Sequence, residues 1–261
     1  MSKHRMHVLL AAVVLAMAST MGYAADPFST NADSGFAGWT LLSGGGDPDV
    51  SFYLEDSATN GDGDGNLDGD INSASGDAWG LTAGNAAPLP GSVILLGYNL
   101  TGSLLVGQSV SIDMDVGFID AGDRFVGFEL DAAGFDRFQF RFQGGDANFE
   151  YGNVSDGYVS TGIPFTDEGL SILFTLTGAD SYDLSVTRLS DGQQFDFLSQ
   201  TLGGPSGSGI DRVEIFNREA GFGLDHNAYF NNLAVVPEPS TMLLVAAGFG
   251  ALALRRRAAK Q

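Results

Sequence analysis

Apolar and polar residues alternate strictly along several stretches of the chain. Residues 137–143 read Arg-Phe-Gln-Phe-Arg-Phe-Gln, which places three phenylalanines on one face of an extended segment and polar side chains on the other. Successive side chains of a β-strand point to opposite faces, so a strand has this period of two. The stretch predicts a half-buried strand with one face in the core and a polar face in solvent.

The same alternation recurs through the middle and the end of the chain. Clusters of Asp, Gly, Gln and Ser separate the alternating stretches, and these residues favour turns. Between residues 26 and 236 there is no long helical stripe and no Pro/Ser-rich break that would indicate a second domain. Strands are predicted at 110–116, 126–130, 170–176, 182–186, 213–215 and 228–235, with turns at 120–123, 143–146, 178–180 and 190–192.

This rhythm of strands and turns predicts one all-β domain with two packed sheets. An immunoglobulin-type sandwich has about 100 residues and is too small for this region, so a larger jelly-roll β-sandwich fits better. The order of the pieces, from residues 36–39 to the closing stretch 228–235, resembles concanavalin A-like sandwich bodies. That resemblance implies a fold but no activity, because such sandwiches serve as enzymes, lectins and scaffolds.

The first 24 residues have the order of a secretory signal peptide. Lys3 and Arg5 precede an apolar stretch at 8–17, and the small-residue tripeptide Gly-Tyr-Ala follows at 22–24. The apolar stretch is shorter than the roughly 20 residues that span a bilayer. We therefore expect a helical signal segment that is removed, so that the mature chain starts near Ala25.

The other end of the chain carries a second targeting pattern. A proline-flanked glutamate stops any strand, an apolar run follows at 242–254, and an arginine cluster comes next. The arginines are expected to stay in the cytoplasm, and the apolar run predicts a short C-terminal transmembrane helix. At about 1.5 Å per residue the run covers roughly 20 Å of a hydrocarbon core of about 30 Å, which makes a poor permanent anchor.

These three parts in this order resemble the PEP-CTERM sorting signal of Gram-negative bacteria, which is recognised by the membrane protease-transpeptidase exosortase. The resemblance implies export, transient retention in the inner membrane, and processing on the way to the cell surface or the extracellular matrix. It also implies exopolysaccharide as a partner, since the genomes concerned usually encode its synthesis. The residues that carry the signal are Pro237, Glu238, Pro239, Arg255, Arg256 and Arg257.

The chain thus divides into a signal peptide at 1–24, a β-sandwich domain at 25–235 and a sorting signal at 236–261. It has 32 acidic and 12 basic residues, and its formal net charge is -20. All of the acidic residues but only six arginines lie between residues 25 and 239. A surface of this charge offers phosphate backbones no basic area, which excludes nucleic acid as a partner.

The residue types needed for several kinds of active site are missing. The chain has no cysteine, which excludes thiol nucleophiles, disulfides and Cys/His zinc sites. The only histidine of the exported body is His226, beside Asp225. Adjacent residues of a strand face opposite ways, and no nucleophile-elbow serine accompanies them, so we expect no catalytic triad.

One local sequence resembles a calcium loop. Residues 60–70 read Asn-Gly-Asp-Gly-Asp-Gly-Asn-Leu-Asp-Gly-Asp, and alternating oxygen ligands with glycine allow a loop to wrap a hard cation. Ile71 stands where an EF-hand has its bidentate glutamate, so the segment is more similar to isolated calcium loops of thrombospondin-like repeats and bacterial adhesins. Calcium as a cofactor and a solvated acidic loop both remain open interpretations. The candidate ligands are Asn60, Asp62, Asp64, Asn66, Asp68 and Asp70.

Paired carboxylates for glycan hydrolysis are incomplete in the sequence. Laminarinase-like sandwich enzymes carry Glu-x-Asp-x-(x)-Glu along one strand, and Glu129 and Asp131 match only its first two carboxylates, because residues 132–134 are Ala-Ala-Gly. Retaining hydrolysis requires two carboxyl groups about 5 Å apart. We therefore predict no catalytic residues and no enzyme activity.

Sugar binding requires an aromatic platform with hydrogen-bonding side chains beside it. The candidates are Trp39, Trp79, Tyr151, Tyr158 and Tyr229, with the Arg/Gln face of residues 137–143 if that face lines a concave sheet. The combined prediction is an exported, exosortase-processed, non-catalytic surface or matrix protein that binds glycan with the help of calcium. The acidic surface favours neutral or basic polymers. A glycan-active hydrolase and a purely structural surface protein are the alternatives.

Overall fold

The computed structural model describes residues 25–44, 50–57, 71–84 and 92–237. The predicted signal helix, the segment 60–70 and the sorting signal from residue 238 onward lie outside these ranges. Within them the chain forms short 3-10 helices at Ala32–Ser34 and Leu224–His226 and fifteen strands. The strands are β1 (Phe28–Thr30), β2 (Trp39–Ser43), β3 (Val50–Glu55), β4 (Ala78–Ala83), β5 (Val93–Asn99), β6 (Ser109–Val116), β7 (Phe125–Ala132), β8 (Phe135–Gln143), β9 (Asn148–Asn153), β10 (Gly157–Pro164), β11 (Leu170–Gly178), β12 (Ser181–Arg188), β13 (Gln194–Thr201), β14 (Arg212–Arg218) and β15 (Ala228–Val236).

The strands form two antiparallel sheets. The first sheet has the order β13-β12-β11-β6-β15-β4-β3, and β1 also pairs with β15. The second sheet has the order β10-β9-β8-β7-β14-β5-β2. Every stretch predicted from the alternation lies within a strand, and the predicted all-β jelly-roll sandwich is confirmed.

The inward faces of the two sheets share one apolar core, as the period of two requires. Phe138 and Phe140 on β8 are fully buried in it. Phe138 packs against Phe174 of the first sheet, with ring centroids 5.0 Å apart, and against Tyr182 at the same distance. The phenylalanines that carried the alternation therefore join the two sheets.

No helix within the described residues has the length and apolarity needed to cross a membrane. The apolar run at 242–254 lies outside them. The closing strand β15 ends at Val236, directly before Pro237, as expected for a residue that has no N–H to donate to a sheet.

Candidate ligand-binding groove on the second sheet

The polar face of β8 is buried, which corrects the expected solvated face. Arg137, Gln139 and Arg141 are 1%, 4% and 9% exposed. The reason is that the chain folds back over this side of the sheet. Tyr158 of β10 lies over the Arg141 guanidinium, 3.4 Å from ring centroid to Cζ, and Arg137 donates hydrogen bonds to carbonyls of the loops at residues 179 and 205. A buried polar strand face is unusual and needs partners for every polar group.

Gln139 and Arg141, together with Glu129 of β7, line the floor of a surface groove of about 450 Å³. The groove crosses β7 and β8, and its walls come from β10, from β14 and from the turns around Gly134 and Val154. Its volume lies within the range of small-molecule sites. The groove is therefore the candidate functional site of the described part of the chain.

A row of registered residues runs across the floor. Glu214 of β14 lies opposite Glu129 of β7, and Glu129 lies opposite Gln139 of β8. Gln139 pairs in turn with Gly152 of β9, which pairs with Tyr158 of β10. We call Glu214, Glu129, Gln139 and Tyr158 the polar row.

Hydrogen bonds connect the polar row from end to end. The Tyr158 hydroxyl donates to Oε1 of Gln139 at 2.7 Å, and Nε2 of Gln139 donates to Oε2 of Glu129 at 2.7 Å. Glu129 is in turn hydrogen-bonded to Glu214. Gly152 has no side chain between Gln139 and Tyr158, and a Cβ there would lie 2.2 Å from the Gly157 carbonyl oxygen. A glycine at this position thus allows β9 and β10 to lie close together.

Burial and mutual repulsion keep one carboxyl group of the row protonated. Burial, the hydrogen bond to Glu214 and the charge of Glu214 raise the pKa of Glu129 to about 8. Burial also raises the pKa of Glu214, while its hydrogen bond with Glu129 and the Arg212 guanidinium act in the opposite direction. Two adjacent carboxyl groups in a low-dielectric site cannot both ionise easily. The raised pKa of Glu129 therefore favours one shared proton in the pair at neutral pH.

One end of the groove is acidic. Asp131 is ion-paired with Arg212, at 3.1 Å between Oδ2 and a guanidinium nitrogen, and its other oxygen accepts the Gly134 N–H at 2.7 Å. Asp136 accepts the Val154 N–H at 3.1 Å. Burial, with smaller effects from neighbouring groups, raises the pKa of Asp136 to about 6.

The other end of the groove combines arginines with an aromatic ring. The Phe125 ring lies between two guanidinium groups, with centroid distances of 4.8 Å to Arg141 and 4.6 Å to Arg218. Arg141 is also ion-paired with Glu150 at 3.1 Å. Cation–π contacts of this kind hold arginine side chains flat against a ring. This end offers a ligand both a ring edge and guanidinium donors.

The structure supplies a second carboxylate beside Glu129 that the sequence pattern did not reveal. The sequence comparison considered one strand, whereas Glu214 comes from the neighbouring strand β14. The two carboxyl groups are in hydrogen-bond contact, which is closer than the separation of about 5 Å or more that flanks a glycosidic bond.

Of the aromatic residues selected from the sequence, Tyr158 lines the groove and the others lie elsewhere. Trp79 and Tyr229 are 0% exposed, so neither has a free ring face on which a sugar can stack, and this corrects their assignment as glycan-binding residues. Trp39 is partly buried against Trp79 and Tyr98, with centroid distances of 5.1 and 5.5 Å. The interior uses these rings because they bury a large apolar area. The aromatic residues that do line the groove are Phe125 and Tyr158.

The side chains of Asp225 and His226 contact each other. They can do so because the two residues lie in a 3-10 helix and not in a strand, where adjacent side chains would point to opposite faces. Nδ1 of His226 is 2.9 Å from Oδ1 of Asp225, and Nε2 is 3.4 Å from Oδ1 of Asp120. No serine accompanies them in these contacts. The stretch is a loop with a short 3-10 helix, so the argument from opposite strand faces does not apply to this pair.

Within the described ranges no three His, Asp or Glu side chains are grouped in a way that could hold a metal ion. The predicted calcium ligands at 60–70 lie outside those ranges.

The sequence of the C-terminus matches a known family model. The model describes the PEP-CTERM protein-sorting motif and matches residues 235–257. This confirms the predicted sorting signal and supports an exported protein that is processed by exosortase. No curated protein matches the chain.

Solved structures are similar to the body at low sequence identity. A carbohydrate esterase from the Shiga toxin-encoding bacteriophage phi24B is 15% identical, with a TM-score of 0.47 over 81% of this chain and 97% of that chain. A protein of unknown function from Shewanella oneidensis MR-1 is 13% identical, with a TM-score of 0.46 over 90% and 95%. A galectin from Caenorhabditis elegans is 17% identical, with a TM-score of 0.37 over 57% and 92%. Similarity at this level carries no information on ligand or activity.

Proposed function

Because the chain carries a PEP-CTERM sorting motif, we propose that its mature form is a non-catalytic protein of the cell surface or the extracellular matrix that binds polysaccharide in the groove of the second sheet. Export exposes the body to exopolysaccharide, the polymer that the sorting route implies as a partner. The observation that carries the proposal is the hydrogen-bonded polar row, which ends in Tyr158 and lies beside Phe125 in an open groove.

Sugar rings bind to sites of this composition for physical reasons. An apolar sugar face packs on an aromatic ring, while hydroxyl groups need donors and acceptors in fixed directions. The Tyr158 ring and the edge of the Phe125 ring supply apolar contacts, and Gln139 and Glu129 supply amide and carboxyl groups that are already held by hydrogen bonds. Since the body carries far more acidic than basic residues, neutral and cationic polymers are favoured over anionic ones.

The groove predicts a specific loss of polysaccharide binding in two variants. Replacing Tyr158→Ala or Phe125→Ala is expected to weaken binding at least about five-fold, because one ring contact contributes roughly 1–3 kcal/mol. The measurement is affinity electrophoresis and calorimetry at pH 6.5 with laminarin, chitosan and alginate, of which alginate is expected to bind least. Phe52→Ala is the matched control, since Phe52 is 41% exposed on the first sheet. Unchanged binding in both groove variants would exclude this site.

The same polysaccharides distinguish binding from hydrolysis. We expect no new reducing ends after prolonged incubation, because Glu129 and Glu214 are too close together to flank a glycosidic bond. If the unmodified protein releases reducing sugar and Glu129→Gln does not, the protein is a glycan hydrolase and this proposal is wrong.

We also propose that residues 60–70 bind calcium and stabilise the exported body. Calcium that binds the native state must raise the melting temperature by mass action. The purified protein is therefore expected to melt several degrees higher in millimolar calcium than in chelator. The triple variant Asp62→Ala, Asp64→Ala, Asp68→Ala is expected to melt at one temperature in both solutions. Equal melting of the unmodified protein with and without calcium would support a solvated acidic loop.

A further inference from the structure

Two carboxyl groups face each other on adjacent strands of the groove floor. Glu129 and Glu214 are directly opposite in the register of β7 and β14, and Glu214 is only 2% exposed. Like charges in directly opposite positions destabilise a sheet. The register nevertheless places the two side chains opposite each other, and a hydrogen bond between them is one cause of the raised pKa of Glu129. A hydrogen bond between two carboxyl groups requires a proton on one of them.

We propose that one proton, held between Glu129 and Glu214, locks the polar row and keeps the groove in its ligand-binding form. The inference rests on the proposed function of the groove and adds pH as its regulator. The proton sits on Glu129 and is donated to Glu214, while the second oxygen of Glu129 accepts from Gln139. The lock therefore joins β14, β7, β8 and β10 through side chains.

The charged groups around the pair come from every strand of this part of the sheet. Arg212 contacts Glu214 and stabilises its ionised form, whereas the charge of Asp131 destabilises the ionised form of both Glu129 and Glu214. Tyr158 stays protonated over the same pH range, because burial raises its pKa to about 12. The remaining charged side chains of the groove and its rim are Asp136 and Arg141 on β8, Glu150 on β9 and Arg218 on β14.

Loss of the proton changes both charge and hydrogen bonding. When base removes it, the proton passes to solvent and the pair goes from one negative charge to two. Glu129 then has no hydrogen to donate, and two adjacent carboxylates repel each other in a buried site. Burial and contact with Glu214 raise the pKa of Glu129 to about 8. The shared proton is therefore present at neutral pH and is lost in mild alkali.

The sign of the stability effect follows from the same shift. The ordinary pKa of the carboxyl group is 4.5, and the folded protein raises it. The contribution of the proton to stability is thus complete below about pH 4.5 and is lost as the pH rises toward about 8. Glu129→Gln keeps a neutral group that can donate to Glu214 and accept from Gln139. Its melting temperature is expected to change less between pH 6.5 and 9.5 than that of the unmodified protein.

The direct test is a carbon-13 NMR titration of protein labelled at the glutamate side-chain carboxyl carbons. We expect one signal, absent from Glu129→Gln, to titrate with a midpoint near pH 8, and the Glu214 signal to respond at the same midpoint. Glu150→Gln is the matched control, because Glu150 is a carboxyl group on the nearby strand β9 that pairs with Arg141 instead of a second carboxyl group. A Glu129 midpoint below pH 5.5 would overturn the shared proton without the use of any ligand.

The functional arm uses laminarin, which has no titratable group, at pH 6.5 and pH 9.5, and chitosan at pH 6.5 alone, because chitosan loses its charge in alkali. The affinity of the unmodified protein and of Glu150→Gln is expected to fall at least ten-fold over this range, whereas the affinity of Glu129→Gln is expected to stay constant. A Glu129→Gln variant that keeps the unmodified pH profile would overturn the regulation. If neither polymer binds at pH 6.5, the proposed function and the regulation both fail, while the NMR midpoint still decides the shared proton.

Discussion

Replacing Asn231→Ala is expected to destabilise the protein by about 3–5 kcal/mol, because it leaves several buried backbone groups without partners. Oδ1 of Asn231 accepts the N–H groups of Ala32 and Asn232, both at 2.9 Å. Nδ2 donates to the carbonyl oxygens of Ile71 at 2.6 Å and Asp77 at 3.3 Å. The side chain is 0% exposed, so water cannot replace these bonds. One amide thus joins the N-terminal 3-10 helix, the segment before β4 and the closing strand.

Thermal and urea unfolding measure this loss, which corresponds to a fall in melting temperature of about 10 °C for a domain of this size. Asn31→Ala is the matched control. The Asn31 side chain makes a single exposed hydrogen bond to Asp33 at 3.3 Å, so its removal is expected to cost under about 0.5 kcal/mol. Equal destabilisation by the two variants would show that the buried amide does not hold these segments together.

Replacing Arg137→Ala is expected to cost at least about 3 kcal/mol, because it removes a large buried side chain together with its charge-assisted hydrogen bonds. Arg137 is 1% exposed and ion-paired with Asp180 at 2.7 Å. It also donates to the carbonyl oxygens of Pro205 and Ala179. Arg137→Lys is expected to recover only part of the stability, since an ammonium group cannot reproduce the planar fork.

Urea unfolding of Arg188→Ala provides the comparison. Arg188 pairs with Asp191 at an exposed turn, and such pairs contribute about 0–1 kcal/mol. Hydrogen bonds from Ser206 and from Arg137 lower the pKa of Asp180 to about 2. The stability from the Arg137 pair is therefore present above the ordinary carboxyl pKa and is lost as the pH falls toward about 2. A similar cost for both arginine variants at pH 7 would contradict the special role of Arg137.

The fold class was predictable because the alternation of apolar residues reports directly on the core. Strands such as β8 and β11 have one face in a single shared core, and their sequences show it. Three of the strands that were not predicted from the sequence lack this alternation. β4 and β5 are nearly continuous apolar runs, and the burial of β10 is irregular. Continuous runs are typical of strands whose two faces are both covered, and periodicity alone does not identify them.

The site was less predictable because its residues come together only through strand pairing. The order of β7, β8 and β14 in the second sheet places Glu214 beside Glu129 and Gln139 beside Glu129. Residues far apart in sequence become neighbours only when the strand order is known. The carboxylate motif along β7 is therefore incomplete in the sequence, although the neighbouring strand β14 carries a second carboxylate opposite Glu129.

Sequence alone determined the export signals, the acidic body and the two-sheet architecture, because targeting segments, net charge and a period of two are local properties of the chain. The tertiary structure decided which side chains are buried. It placed Trp79 and Tyr229 in the core and covered the polar face of β8, so that Gln139 and Arg141 became the floor of a groove. It also set the protonation of Glu129, because desolvation and a neighbouring charge depend on the packing around a group and not on its position in the sequence.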